Sequence, residues 1–285
     1  ACAAGARREP VLLRRGSGEL PLADACTGGA RAWSASFLRE QLGDYACHVL
    51  SAPAASRRFT YYWGGDGDPA HAGYDATPTC FSQALTFAQF AARTSRAADA
   101  GAGAGGGGDG ERSDGRVFYL QTALARRGAD ASSIRIEPVP GEAVRAAVTE
   151  LGAAIYRAAD ASGARALLAH IASAAHFGPW LRTTLFASPR GLVTRVHYDH
   201  YDNIYFQLAG TKRVLLLDPL DGAAALCAYP VHHPLDQRAR AHLDRACDTA
   251  AGGARGAAAR ASALEIELGP GDVLVIPHHW WHHVE

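Results

Sequence analysis

His197-Tyr198-Asp199 is the tripeptide of this 285-residue chain best suited to chemistry. Side chains alternate across a strand, so His197 and Asp199 would project from one face while Tyr198 turns away. An imidazole and a carboxylate then converge on one point. Further imidazoles stand far along the chain, in Ile276-Pro277-His278-His279-Trp280-Trp281-His282-His283-Val284, behind a Gly269-Pro270-Gly271-Asp272 turn. When this segment is extended, Trp280, His282 and Val284 share one face, and Trp281 and His283 share the other. Two histidines and one carboxylate make the facial triad that holds Fe(II) and leaves positions open for substrate and oxygen.

Other readings of these residues stand beside that one. An HxD tripeptide is common, and His197 and Asp199 could be a satisfied surface pair. His278 and His279 could be solvated loop residues. A helical zinc site could use His278 and His282 at i and i+4. Against it, Val273-Leu274-Val275-Ile276 is strand-like, Pro277 disfavours a continuous helix, and no glutamate base accompanies the histidines.

Lysine is the second chemical clue. Of the 28 basic residues 27 are arginine, and the one lysine is Lys212; methionine is absent. A GC-rich genome explains the bias toward Arg, Ala and Gly. Under such bias a surviving lysine is either chance or a position that a wide guanidinium fork cannot fill.

The elements that must position these residues follow from periodicity. Helices are predicted over Trp33–Leu42 (Ser34 as N-cap, Gly43 as stop), Phe81–Ala92, Gly141–Leu151 and Ser162–Ala172. Strands are predicted at Glu9–Leu13, Tyr45–Leu50, Arg58–Trp63, Arg116–Gln121, Leu181–Ala187, Leu192–Tyr198, Asn203–Leu208, Arg213–Leu217, Leu264–Leu268, Asp272–Ile276 and Trp280–Val284. Two Gly/Ala-rich stretches, 96–115 and 248–262, read as loops inserted at little entropic cost. Many short strands after helices suggest a mainly β fold, a barrel or sandwich with helical support. We take 1–285 as one domain, with an α/β lead-in over 1–115 and a β core over 116–285.

The formal net charge is zero, with 28 acidic and 28 basic residues. No broad basic field therefore exists for nucleic acid or an anionic membrane. No apolar run approaches the ~20 residues that span a bilayer. Six cysteines without a CxxC pair suggest reduced thiols and a cytoplasmic or nuclear protein.

The stretch from His197 to Lys212 and the terminal IPHHWWHHV resemble the JmjC/cupin-like 2-oxoglutarate oxygenases. The branch most similar is the factor-inhibiting-HIF type of asparaginyl hydroxylase. Carrying that resemblance are Arg7–Leu12, Phe59-Thr60-Tyr61-Tyr62, Tyr119-Leu120-Gln121-Thr122, HYDxxxN from His197 to Asn203, Gly210–Arg213, Tyr229-Pro230-Val231-His232-His233-Pro234 and Trp281-His282-His283. It implies a double-stranded β-helix (jelly-roll) core. It also implies His197, Asp199 and His282 as iron ligands, and Lys212, helped by Thr194 and Tyr119, as the grip on the distal carboxylate of 2-oxoglutarate. Asn203 would lie near the iron-bound end of that cosubstrate. Tyr61, Tyr62 and Gln121 would line the peptide side. Thr194 would face away from His197 in an unbroken strand, so its role requires a bend between them.

The implied activity is Fe(II)-, 2-oxoglutarate- and molecular-oxygen-dependent hydroxylation of a protein or peptide, on asparagine of an extended or ankyrin-type segment. Another JmjC activity, such as lysine demethylation, and a non-catalytic binding module are the alternatives. One departure concerns the substrate: Leu235-Asp236-Gln237-Arg238 reverses the family's Arg-Gln order at two peptide-gripping positions, Gln237 and Arg238. A second concerns the ends. The chain starts at Ala1 without methionine and ends three residues after His282. A further barrel strand and dimer-forming helices are expected beyond it, and a homodimer only with them.

Overall fold

The computed structural model describes residues 8–14, 33–54, 59, 80–102, 115–127, 134–137, 141–156, 181–230, 232–233, 235–241, 243 and 262–285. Its twelve described strands and four helices are mainly antiparallel β.

The lead-in builds a support sheet. Helix α1 (Ala35–Leu42) starts where Ser34 Oγ accepts the Phe37 N–H at 3.2 Å, and stops at Gly43. Its buried Leu38 and Leu42 are four residues apart, one face of a helical turn. Strands β2 (Ala46–Pro53), β3 (Phe81–Thr86), β4 (Arg116–Arg127), β5 (Ile134–Ile136) and β6 (Arg182–Ala187) form one antiparallel sheet, with β2, β5 and β6 all paired to β4. α1, α2 (Phe87–Ala102) and α3 (Glu142–Tyr156) cover one face of it through Leu42, Phe87, Phe90, Leu120, Leu124, Val144 and Val148.

Two expectations are corrected here. Phe81–Thr86 is a strand paired to β2, not the start of a helix. Thr86 explains the boundary: its Oγ1 accepts the Gln89 N–H at 3.1 Å, and Gln89 Oε1 accepts the Thr86 N–H at 3.0 Å. That reciprocal box begins the helix at Phe87. The same helix runs on through Ala102 into the stretch expected to be a loop, where alanine favours helix. The predicted helix Ser162–Ala172 lies outside the described residues. So do all of the Arg58–Trp63 strand but Phe59 and all of the 248–262 insert but Ser262.

The core of the fold is a pair of facing sheets. One has the order β10 (Leu264–Leu268), β9 (Lys212–Leu217), β12 (Trp281–Val284), β7 (Thr194–His197). The other runs β1 (Val11–Leu13), β11 (Val273–Ile276), β8 (Asn203–Phe206). Val214, Leu216 and Leu268 from the first meet Leu274 and Ile276 from the second. The far face of the four-stranded sheet buries Val196, Leu215, Leu217 and Trp281 under Leu226, Ala239, Ala241 and Leu243. This is the jelly-roll arrangement the sequence suggested.

A short helix not anticipated, α4 (Pro219–Ala225), closes that far face. Asp218 caps it through the Leu220 N–H at 2.9 Å, and Pro219 opens it. Gly222 lies so close to the Trp281 ring that a Cβ there would overlap it. No helix among the described residues is long and apolar enough to cross a membrane.

Candidate metal centre

The register of β7, β12 and β9 assembles the site. His197 pairs with His282, which pairs with Leu216. The next inward row is Thr194, Val284 and Val214. Between these rows β12 advances two residues and β7 advances three. The extra residue is a β-bulge, and it turns Thr194 onto the same face as His197. The bend required of Thr194 is therefore present. Lys212, two residues before Val214 on β9, shares that inward face one row further on.

His197, Asp199 and His282 offer ligand atoms all within 4.8 Å of one another. His197 Nδ1 lies 2.8 Å from the Arg195 carbonyl, and His282 Nδ1 lies 3.0 Å from the Trp280 carbonyl. A carbonyl can only accept, so each ring carries its proton on Nδ1 and presents a bare Nε2. His282 Nε2 is 3.7 Å from Asp199 Oδ2. Asn203 donates to that same carboxylate oxygen at 2.7 Å, which fixes its rotation.

The electrostatics suit ligation. Burial pushes the His197 imidazole well below its ordinary range, and positive character at His282 and Arg238 pushes the same way, against Asp199. Burial alone would raise the Asp199 carboxyl, but His282, His197, the Asn203 hydrogen bond and Arg182 hold it below the ordinary carboxylate range. The neutral imidazole and ionised carboxylate that a metal needs are thus the favoured states.

A second cluster lies along the same cavity. Desolvation pulls the Lys212 ammonium below the usual lysine range, with Tyr119 opposing it. Its nitrogen stands 5.4 Å from the centre of the Tyr205 ring. Among the described residues no carboxylate pairs with it. The Tyr119 hydroxyl is pushed up by burial, while Lys212 and hydrogen bonds with Thr194 and Gln121 pull it down. So Lys212, Thr194, Tyr119 and Gln121 gather at one end, and the His-Asp-His group at the other.

Gln237 and Arg238 flank the ligand strand. The Tyr198 N–H donates to the Gln237 carbonyl at 3.0 Å, and Arg238 bridges His197. Both line the cavity with the triad, Asn203, Lys212 and Tyr119. Tyr61 and Tyr62 lie outside the described residues. His278 joins neither cluster: its backbone N–H and Nδ1 meet Asp202 Oδ1 at 2.9 and 3.0 Å. His282 sits in a strand, which removes the helical zinc reading.

Sequence reasoning missed Tyr205 and Arg182. Tyr205 carries a signal in hindsight, since it falls two residues after Asn203 on the same face of β8. Arg182, at the start of β6, has no local signal at all.

Facing antiparallel sheets with a His-Asp-His group between them agree with the comparison to known proteins. Residues 6–285 match the cupin-like domain. The chain belongs to that family. A curated relative of this cupin-like domain is the HSPB1-associated protein 1 homolog of Danio rerio, 36% identical over 107 residues. That match covers 36% of this chain and 22% of the relative, so the chain spans well under two thirds of the curated protein it matches.

Proposed function

We propose that this cupin-like domain is an Fe(II)- and 2-oxoglutarate-dependent protein hydroxylase. One observation carries the reading: a two-histidine, one-carboxylate group shares a cavity with a desolvated lysine that no described carboxylate neutralises. A diacid cosubstrate requires that pairing, a metal for one end and a buried cation for the other. The bare Nε2 atoms and the fixed carboxylate fit a divalent iron, and the Lys212 group fits a carboxylate. The cavity runs on from the triad past Gln121, Gln237 and Arg238, the side where a peptide segment would enter.

His197, Asp199 and His282 would hold the iron. Lys212 would pair with the distal carboxylate, and the Thr194 and Tyr119 hydroxyls would satisfy its remaining lone pairs. When bound, iron and 2-oxoglutarate supply oxidation of a C–H bond by molecular oxygen, with succinate and carbon dioxide as co-products. The chain's own work is orientation. The Arg195 and Trp280 carbonyls hold both imidazoles, Asn203 holds Asp199, and Val214, Leu216 and Val284 keep the inner wall apolar. Gln121, Gln237 and Arg238 border the space left for the peptide.

The finer assignment, β-hydroxylation of asparagine, rests on the order of motifs from His197 to His283, above all Tyr229–Pro234. The partner is then a protein or peptide rather than nucleic acid or membrane, in the cytoplasm or nucleus. Anaerobic titration with Fe(II) and 2-oxoglutarate should produce the weak visible band of the chelate, and peptide pools should yield succinate and gain one oxygen. No band and no succinate would overturn the proposal. Loss of a lysine methyl instead would move the protein to the demethylating branch.

A further inference from the structure

Strand β7 ends at His197, so Asp199 lies outside the ladder that fixes the two histidines of the triad. Its backbone is held instead from the turn before β12, where the His279 N–H donates to the Asp199 carbonyl at 2.8 Å. That turn is strained. His279 has φ 66°, in the left-handed region that a residue with a Cβ seldom occupies. Such a conformation persists only where surrounding contacts over-determine it. The contacts on this turn converge on Asp202.

Asp202 is a junction of segments far apart in the chain. Its Oδ1 accepts the backbone N–H of His278 at 2.9 Å and the Nδ1–H of the same residue at 3.0 Å. Its Oδ2 accepts Arg8 Nη1 at 2.9 Å. Arg8 is fastened a second time, because its carbonyl accepts the Trp280 Nε1–H at 2.9 Å. Trp280 in turn offers its own carbonyl to His282 Nδ1 at 3.0 Å. A circuit of contacts therefore runs from the Asp199 segment through Asp202, Arg8 and Trp280 to His282. The Asp202 side chain is 14% exposed, which shields the junction from the screening that weakens surface ion pairs.

We propose that Asp202, braced by Arg8, is a positioning residue of the metal centre. It sets the span between Asp199 and His282, 3.7 Å here, by locking the segment after β7 to the turn before β12. Without the junction the His278–His279 turn is free to leave its strained conformation. The Asp199 backbone and the Trp280 carbonyl would then move, and two ligands would shift at once. The inference rests on His197, Asp199 and His282 being metal ligands, and not on the hydroxylase activity.

The test is Co(II) titration of the chelator-stripped full chain, read by affinity and by the visible d–d bands, which report ligand geometry. Asp202→Ala should weaken binding about tenfold, the low end for groups that support ligands, and should alter the bands. Arg8→Ala should do the same to a smaller extent, and Arg8→Lys should recover most of that loss, since an ammonium can still pair with Oδ2. Val148→Ala, in the core of the support sheet, should lower the melting temperature and leave the folded protein's affinity and bands unchanged. If Asp202→Ala does not fold, Asp202→Asn replaces it: an oxygen remains for the His278 N–H, the charge pair is lost, and weaker binding is still expected. Wild-type affinity and bands in the folded Asp202 and Arg8 variants would overturn the proposal and leave the metal centre standing. An equal loss of affinity in Val148→Ala would overturn it too. A wild type that binds no Co(II), or binds it equally after His197→Ala/His282→Ala, would overturn the metal centre and this inference with it.

Discussion

Strand β12 holds two adjacent histidines in opposite circumstances. His282 points into the cavity, its Nδ1 tied to a backbone carbonyl and its Nε2 left near Asp199. His283 points to the other face with Trp281 and is 1% exposed. Its Nε2 meets Glu285 at 2.9 Å, a contact that lowers the Glu285 carboxyl, and its Nδ1 is buried without a hydrogen-bond partner. Chemical identity is the same, and one step of the pleat separates them. What differs is the neighbour across the sheet. The inner row is His197–His282–Leu216 over a cavity, and the outer face is closed by α4 and Leu226, Ala239 and Leu243. Reactive potential belongs to the face where packing stops.

The largest effects should separate the faces cleanly. His282→Ala should cost at least ~100-fold in metal affinity and shift the melting temperature little, because the cavity already borders solvent. Trp281→Ala should do the reverse: about 3–5 kcal/mol of stability lost to a cavity in the outer core, with metal affinity kept in the folded fraction. Metal-binding isotherms and denaturant unfolding of both variants check this. Equal losses of affinity would break the comparison.

Lys212 comes next. Lys212→Arg keeps the charge but changes a point cation to a planar fork, and 2-oxoglutarate affinity should fall at least ~10-fold by calorimetry. Lys212→Met probes the cost of holding that charge. Its folded-state pKa is depressed, so the unfolded chain binds more protons in the window below the ordinary lysine value of 10.5. Stability attributable to Lys212 therefore rises as pH climbs through that window. Relative to wild type, the Met variant should be more stable near neutral pH by denaturant unfolding, and the gap should narrow as pH rises toward the ordinary lysine value.

Smaller effects sharpen the inner row. Asn203→Ala frees the Asp199 carboxylate and should weaken metal binding about tenfold, the low end for a supporting hydrogen bond. Thr194→Val removes one hydroxyl beside Tyr119 and keeps the bulge. It should reduce 2-oxoglutarate affinity by about 1 kcal/mol, near fivefold, with no change in metal affinity.

The HxD pair was only partly legible from strand alternation: β7 ends at His197, and Asp199 lies in the segment after it, where the Asn203 hydrogen bond rather than the pleat holds its carboxylate beside His197 and His282. The same rule separated His282 from His283. Ser34 and Gly43 marked α1 because capping chemistry is local as well. Failures occurred where the deciding contact was not local. Phe81–Thr86 has an apolar spacing that suits a helix, and pairing with β2 makes it a strand, although the local Thr86–Gln89 box that starts the helix at Phe87 was a signal left unread. Tyr205 stands over Lys212 because two sheets face each other, and Arg182 acts on Asp199 from a different sheet.

By itself, then, the sequence determined the types of ligand, the strand faces of His197 and His282 and the anomaly of a single lysine. Those follow from backbone geometry over a few residues and from composition. Tertiary structure alone decided that Thr194 joins the inner face, since a bulge is defined against the partner strand. It alone brought Lys212, Tyr119 and Thr194 into one corner of the cavity and set His200 against His279. Distances between segments this far apart in the chain are fixed by how the sheets pack, and no local pattern encodes them.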